Sequence, residues 1–178
     1  MKHPFSQFHY CPECGSGHFM INNEKSKKCD ACGFVYYFNS CAATVALILN
    51  EKNELLVCRR AKEPAKGTLD LPGGFVDMHE TAEEGVVREV REETGLIVTE
   101  TLYRFSLPNV YVYSGFEVHT LDLFFLCKVE RTDHIEAHDD VTDSFFIPLS
   151  GIRVEDFGLA SIRKGLKRFM ESHRMLGA

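Results

Sequence analysis

Gly73-Gly-Phe-Val-Asp-Met-His-Glu80-Thr-Ala-Glu-Glu-Gly-Val-Val-Arg88-Glu89-Val90-Arg-Glu92-Glu93-Thr-Gly95-Leu96 opens on two glycines and then takes on helical spacing. On a helical wheel Glu92 and Glu93 lie about 60° and 40° to either side of Glu89, so three carboxylates share one face. Val86 and Val90 follow at about 60° and 100°, which sets the acidic cluster against the apolar face, while Glu84 and Arg88 form an ordinary outer pair. For a glutamate-rich helix taken alone, a solvated face is the ordinary reading. Acid beside a core instead calls for a cation. Oxygen donors of this kind suit Mg²⁺ or Mn²⁺, and Mg²⁺ commonly joins one or two carboxylates to substrate phosphates. A phosphate-bearing substrate is therefore expected.

Around this segment, stretches rich in β-branched and aromatic residues predict strands at 34–38, 43–49, 54–59, 97–105, 118–129 and 145–147. Helices are predicted over 80–94, with Gly95 as its stop, and over about 157–175. In the second, Leu159, Ile162, Leu166, Phe169 and Met170 form a stripe at helical spacing, which reads as core packing. Strands before, between and after two helices fit a mixed α/β sheet sandwiched by helices.

Ahead of these elements, Cys11-Pro-Glu-Cys14 and Cys29-Asp-Ala-Cys32 are each followed by glycine, Gly15 and Gly33. Two such pairs place four thiolates around one tetrahedral Zn²⁺, and the glycine permits the tight turn after each second ligand. Two structural disulfides are the competing reading and require an oxidising compartment. A four-thiolate site is closed to substrate, so its role is structural. Cys41, Cys58 and Cys127 sit in apolar, strand-like surroundings and are read as small buried hydrophobes.

The chain has 178 residues, of which 44% are hydrophobic and 26% charged, so a core is available and a disordered chain is excluded. The division expected is a zinc ribbon at 1–40 and a catalytic domain at 41–178. No apolar run approaches the roughly 20 residues of a membrane span, and the N-terminus has no signal pattern, so a cytoplasmic protein without membrane contact is expected. The net charge of −6 offers no general footprint for a nucleic-acid backbone. Residues 1–40 carry four Lys against three acids, while 41–178 carry sixteen basic residues against twenty-three acids.

Gly74, Glu80, Arg88-Glu89-Val90, Glu92-Glu93 and Gly95-Leu96 match every specified position of the Nudix box, so the chain resembles the Nudix hydrolase superfamily. That resemblance implies a Nudix-type α/β/α sandwich over 41–178, and the cysteine pairs resemble the zinc ribbon of NADH pyrophosphatase relatives. It also implies a metal-dependent hydrolase that cleaves a nucleoside diphosphate linked to another moiety. Glu89 and Glu93 become the main Mg²⁺ or Mn²⁺ ligands, with Glu92 and the Gly73 carbonyl contributing. Arg88 and Glu80 would orient loop and helix. The resemblance places a catalytic base on a late loop before the last core strand, here 136–143. Asp140 is the first choice, with Asp139, Glu136 and Glu117 as alternatives and ordinary polar loop residues as the bland reading.

Ser106-Leu-Pro108-Asn-Val-Tyr111-Val-Tyr-Ser114 resembles a diverged form of the NADH pyrophosphatase motif, keeping the Ser, Pro, aromatic and Ser positions. It points to NADH, ADP-ribose or a related dinucleotide, with nucleoside triphosphates as the alternative. Tyr111 and Tyr113 either stack on a base or pack as alternating strand residues. Arg59 and Arg60 either clamp phosphate or cap a strand end in solvent. Two other classes compete. A non-catalytic Nudix-like ligand sensor is disfavoured by the intact glutamates, and a nucleic-acid-binding ribbon rests only on Lys25, Lys27 and Lys28. The partner expected is a small nucleotide, and the resemblance leaves room for a homodimer.

Overall fold

The run from Val45 to Ile48 is apolar at every position and buried on both faces, which places it inside a sheet covered on each side. In the computed structural model, which describes residues 3–137 and 140–176, this run belongs to strand β4 (Cys41–Ile48). The chain divides into two compact units, Met1–Ser40 and Cys41–Ala178.

In the first unit β1 (Phe19–Asn23), β2 (Ser26–Cys29) and β3 (Val35–Tyr37) form an antiparallel sheet in that order. Only β3 lies within a stretch expected to be a strand. Asn and Lys dominate the β1–β2 hairpin, so periodicity carries little signal there. Behind it Phe19 packs with Cys11 and Cys29 in a small buried cluster.

The second unit holds two three-stranded sheets. One runs β4–β8–β7, with β8 (Phe116–Val129) parallel to β4 and antiparallel to β7 (Val98–Tyr113). The other is antiparallel, with β5 (Glu54–Arg60) between β6 (Leu69–Asp70) and β9 (Val141–Pro148). Successive strand residues point to opposite faces, and the packing follows that period. Val45 and Leu47 of β4, with Leu55 and Val57 of β5, pack against Ile162, Leu166 and Phe169 of helix α2 (Ala160–Leu176). Ala46, Ile48 and Leu56 pack against Val86 and Val90 of helix α1 (Ala82–Thr94). The mixed sheet between helices is thus the expected α/β sandwich, and the two valines take the buried face that the wheel assigned them.

Strand β7 extends well beyond the expected 97–105. Ser106, Pro108 and Asn109 are poor strand formers, yet β7 lies at the sheet edge, where proline's missing N–H breaks no pairing on the open side. The hairpin closes through Ser114 and Gly115, both at positive φ as a two-residue turn requires.

Helix α1 starts at a full capping box. Glu84 N donates to Thr81 Oγ1 at 3.1 Å, and Thr81 N donates to Glu84 Oε2 at 2.8 Å. Left-handed Gly95 ends it, as the sequence predicts. The outer Glu84–Arg88 pair does not form, because the cap takes Glu84 and Arg88 turns toward the glycine loop.

Candidate functional site

The two cysteine knuckles are built alike. Gly15 N donates to Cys11 O and Cys11 N to Ser16 O, both at 2.9 Å; Gly33 N donates to Cys29 O at 2.9 Å and Cys29 N to Phe34 O at 2.8 Å. Gly15 and Gly33 have φ of 73° and 80°, the turn geometry foreseen for them. The four cysteines are unbridged, and their sulfurs converge on one point within 4.8 Å of one another. Cys11 Sγ lies 3.8 Å from Cys32 Sγ, and Cys14 Sγ lies 3.6 Å from Cys29 Sγ. Sulfurs at the corners of a tetrahedron about 2.3 Å from a metal would be about 3.8 Å apart, so the cluster has the dimensions of a Zn²⁺ site. The crowded thiols shift in opposite directions: the backbone N–H of Cys32 is the main influence that brings Cys29 down to about 6, while Cys14 and Cys32 are raised, so the metal assignment rests on the sulfur geometry. Lys27 is buried with its ammonium on Phe8 O at 2.6 Å, so it is not an open basic contact.

In the second unit, the segment 72–76 runs beside β4. Ala46 N donates to Pro72 O at 2.7 Å, Thr44 N to Gly74 O at 2.8 Å and Val76 N to Ala42 O at 3.1 Å. At Gly73, φ is +146° and a Cβ would lie 2.1 Å from the Thr44 carbonyl oxygen, so only glycine fits. A Cβ at Gly74 would come within 2.5 Å of Glu89 Oε1. The loop therefore meets the acidic face of α1 backbone-first.

Arg88 organises that face. Its Nε and Nη2 fork onto Glu80 Oε1 and Oε2 at 2.8 and 2.9 Å, and Nη2 also donates to Phe75 O at 3.0 Å. Nη1 reaches Glu89 Oε1 at 2.8 Å and Glu92 Oε2 at 3.0 Å. Its fork holds the Glu80 carboxyl well down, at about 2. Glu93 lies deeper, 6% exposed, with Oε2 accepting from Gly73 N at 3.0 Å. Burial, together with the Glu89 and Asp70 charges, pushes its carboxyl up to about 8 despite that hydrogen bond. Among the described residues only the four cysteines bring three or more ligand atoms within 4.8 Å of one another. The Glu89 and Glu92 carboxylates are drawn to Arg88 and Glu93 to the loop. These hard oxygen donors beside a half-satisfied buried carboxylate suit Mg²⁺ or Mn²⁺ in chemistry.

Glu89, Glu92, Glu93, Arg88 and Gly73 line one cleft of about 910 Å³ with Arg60, Tyr111 and Asp140. Arg60 Nη1 pairs with Asp70 Oδ2 at 2.5 Å, and burial raises the Asp70 carboxyl against that pairing. Asp140 is half-exposed and paired with Lys62, while Ala61 N donates to its carbonyl at 2.8 Å. Tyr111 and Tyr113 alternate on β7 as strand residues, and both face the cleft.

Arg59 is not among the residues that line this cleft. Strand alternation turns it away from Arg60, and its Nη1 donates to Gly67 O at 2.9 Å on an exposed surface. Glu117 and Glu136 also lie outside the cleft lining, Glu136 N being bonded to Thr94 O at 3.1 Å beyond the end of α1. Asp139 falls outside the described residues. Sequence reasoning missed Asp70, Asn109, Thr120 and Asp122, all buried and all lining the cleft. Asp122 carries a signal, an acid set inside the apolar run Leu121-Asp-Leu-Phe-Phe125 on β8.

Known proteins resemble this chain over most of its length. Residues 40–170 match the family model of the NUDIX domain. A relative from Methanocaldococcus jannaschii named ADP-ribose pyrophosphatase is 35% identical over 130 residues, covering 72% of this chain and 74% of that protein. A Vibrio parahaemolyticus protein named NAD-capped RNA hydrolase NudC is 30% identical over 106 residues; they cover 60% of this chain and only 40% of the relative's length. In fold, a crystal structure of a NUDIX hydrolase from Nitrosomonas europaea superposes with a TM-score of 0.72 at 24% identity, covering 93% of this chain and 92% of its own. A family model spanning most of the chain, and an archaeal relative aligned over most of both sequences, place the glycine loop and glutamate helix in a known lineage: this chain belongs to the Nudix hydrolase superfamily.

Proposed function

We propose that the chain hydrolyses the pyrophosphate bond of a nucleoside diphosphate linked to a second moiety, with ADP-ribose or NADH as substrate. The observation that carries this reading is one cleft lined by Glu89, Glu92 and Glu93 together with Arg60 and Tyr111. Its volume falls within the usual range for small-molecule sites of about 300–1,000 Å³. The archaeal relative's name, ADP-ribose pyrophosphatase, supports the same substrate class.

Glu89, Glu92 and Glu93, with the Gly73 carbonyl, are the groups that would hold Mg²⁺ or Mn²⁺. When bound, such a metal neutralises pyrophosphate charge and lowers the pKa of an attacking water. Arg88 keeps the glutamates and the Phe75 carbonyl in fixed relation. Arg60, held by Asp70, presents its guanidinium to the phosphates. Asp140 is assigned the role of base, accepting the water's proton at a carboxylate oxygen on the cleft wall. In the first unit, Cys11, Cys14, Cys29 and Cys32 hold structural Zn²⁺, making 1–40 the ribbon and 41–178 the catalytic domain.

A substrate panel with Mg²⁺ and Mn²⁺ tests the reading. ADP-ribose should give AMP and ribose 5-phosphate, and at least one dinucleotide-type substrate should exceed every free nucleoside triphosphate at least about tenfold in kcat/KM. Faster hydrolysis of triphosphates to monophosphate and pyrophosphate would replace it.

A further inference from the structure

Beyond the glutamates, the cleft has a second wall on the β7–β8 hairpin. Pairing sets Asn109 opposite Thr120, Tyr111 opposite Val118 and Tyr113 opposite Phe116, with Asp122 one step further inward on β8. Phe124, Asp122, Thr120 and Val118 alternate onto a single face, on which Phe124 is buried in the core with α2. The same face thus changes from apolar to polar as it leaves the core and enters the cleft.

Asp122 is 4% and Asn109 6% exposed, and both line the cleft. Thr120 Oγ1 donates to Asp122 Oδ1 at 2.5 Å. Among the described residues, Asp122 Oδ2 and the side-chain amide of Asn109 have no protein hydrogen-bond partner. Both residues are nearly closed off yet open to the cleft, so a ligand that displaces the water reaching these atoms must supply hydrogen-bond partners in its place, a donor for Asp122 above all. Phosphate is excluded by like charge, since Asp70 already feels the Asp122 charge. An apolar ring would leave both groups unpaired. A neutral group carrying adjacent hydroxyls fits, one donating to Asp122 and the other exchanging with the Asn109 amide.

We propose that Asp122 and Asn109 seat the vicinal diol of the substrate's ribose, with the base lying against Tyr111 and Tyr113. The assignment rests on the pyrophosphohydrolase reading of this cleft and adds a specificity for ribose. Register decides between ribose and base. Tyr111 stands two residues from Asn109 toward the hairpin tip, about 7 Å at the rise of a strand, and offers an aromatic face where the polar patch ends.

Calorimetric titration with AMP in the presence of a chelator separates binding from turnover. Wild-type protein should bind AMP at least about tenfold more tightly than 2′,3′-dideoxy-AMP, because losing the hydroxyls strands the buried acceptors. Inosine monophosphate should bind within about threefold of AMP, and Asp122→Asn should bring the AMP to dideoxy ratio close to one. Asn109→Ala, checked for fold by circular dichroism, should lower the same ratio and serves as a second variant. Equal binding of AMP and its dideoxy analogue overturns the proposal. So does absence of AMP binding at millimolar concentration, or discrimination against inosine monophosphate alone, which would assign the patch to the base. If ADP-ribose is cleaved but the ratio is absent, only the ribose seat fails. If the ratio and its loss in Asp122→Asn hold while no dinucleotide is cleaved, the seat stands and the proposed reaction falls.

Discussion

Gly73 N donates to Glu93 Oε2 over 3.0 Å, joining a loop position that admits only glycine to the most deeply buried carboxylate of α1. Glu93→Gln preserves an acceptor for that N–H and removes the charge. Its circular dichroism should match wild type while kcat falls about 10²–10⁴-fold, the scale for losing a preorganised charge partner. Near wild-type turnover in the folded variant would remove Glu93 from the metal site.

Arg88 serves four acceptor groups at once, the carboxylates of Glu80, Glu89 and Glu92 and the Phe75 carbonyl. A lysine has no planar fork and cannot reproduce that set. Arg88→Lys should therefore lower kcat about 10–100-fold with little change in KM. Wild-type kinetics in Arg88→Lys would show that positive charge alone suffices.

The Thr81–Glu84 capping box makes the stability of α1 pH-dependent. The Thr81 N–H and hydroxyl hold the Glu84 carboxyl below its ordinary 4.5. A carboxylate lowered in the folded state contributes stability that is fully present above 4.5 and is lost as pH falls through the lowered value. The Tm difference between wild type and Glu84→Gln should accordingly be larger at pH 7 than at pH 3. Thr81→Ala should cost about 1 kcal/mol at pH 7 in chemical denaturation. A Tm difference that grows on acidification would contradict the capping account.

Protein purified under reducing conditions should contain one zinc per chain by elemental analysis. Replacing Cys29 and Cys32 together with Ser should raise hydrogen exchange across residues 3–40 far more than across α1 and β4, because metal binding supplies folding energy to a segment whose buried cluster is so small. Zinc-free protein, or equal loosening of both units, would argue against a structural metal.

The acidic face of α1 was legible because helical period alone puts Glu89, Glu92 and Glu93 together beside Val86 and Val90, and local geometry settles that period. Long-range pairing settles the rest. Asp70 on β6, Asn109 on β7 and Asp122 on β8 reach the cleft from strands of two sheets, and no local pattern assigns Asn109 to the same patch as Asp122. Arg59 and Arg60 are adjacent in sequence, so only the placement of β5 separates the residue in the cleft from the one at the surface. Pro108 hid the second half of β7 for a related reason, since a strand edge is a property of the sheet and not of the segment.

Neighbouring residues of β4 answer to different helices, Leu47 to α2 and Ala46 to α1. Thr44 on the same strand anchors the glycine loop. Inserting or deleting one residue here would hand each core the other's side chains and shift the loop's anchor by a whole position. Exchanges among apolar side chains, by contrast, disturb only one core at a time. Lineages descended from this chain should therefore vary the composition of β4 while conserving its length, and gaps in their alignment should fall outside it.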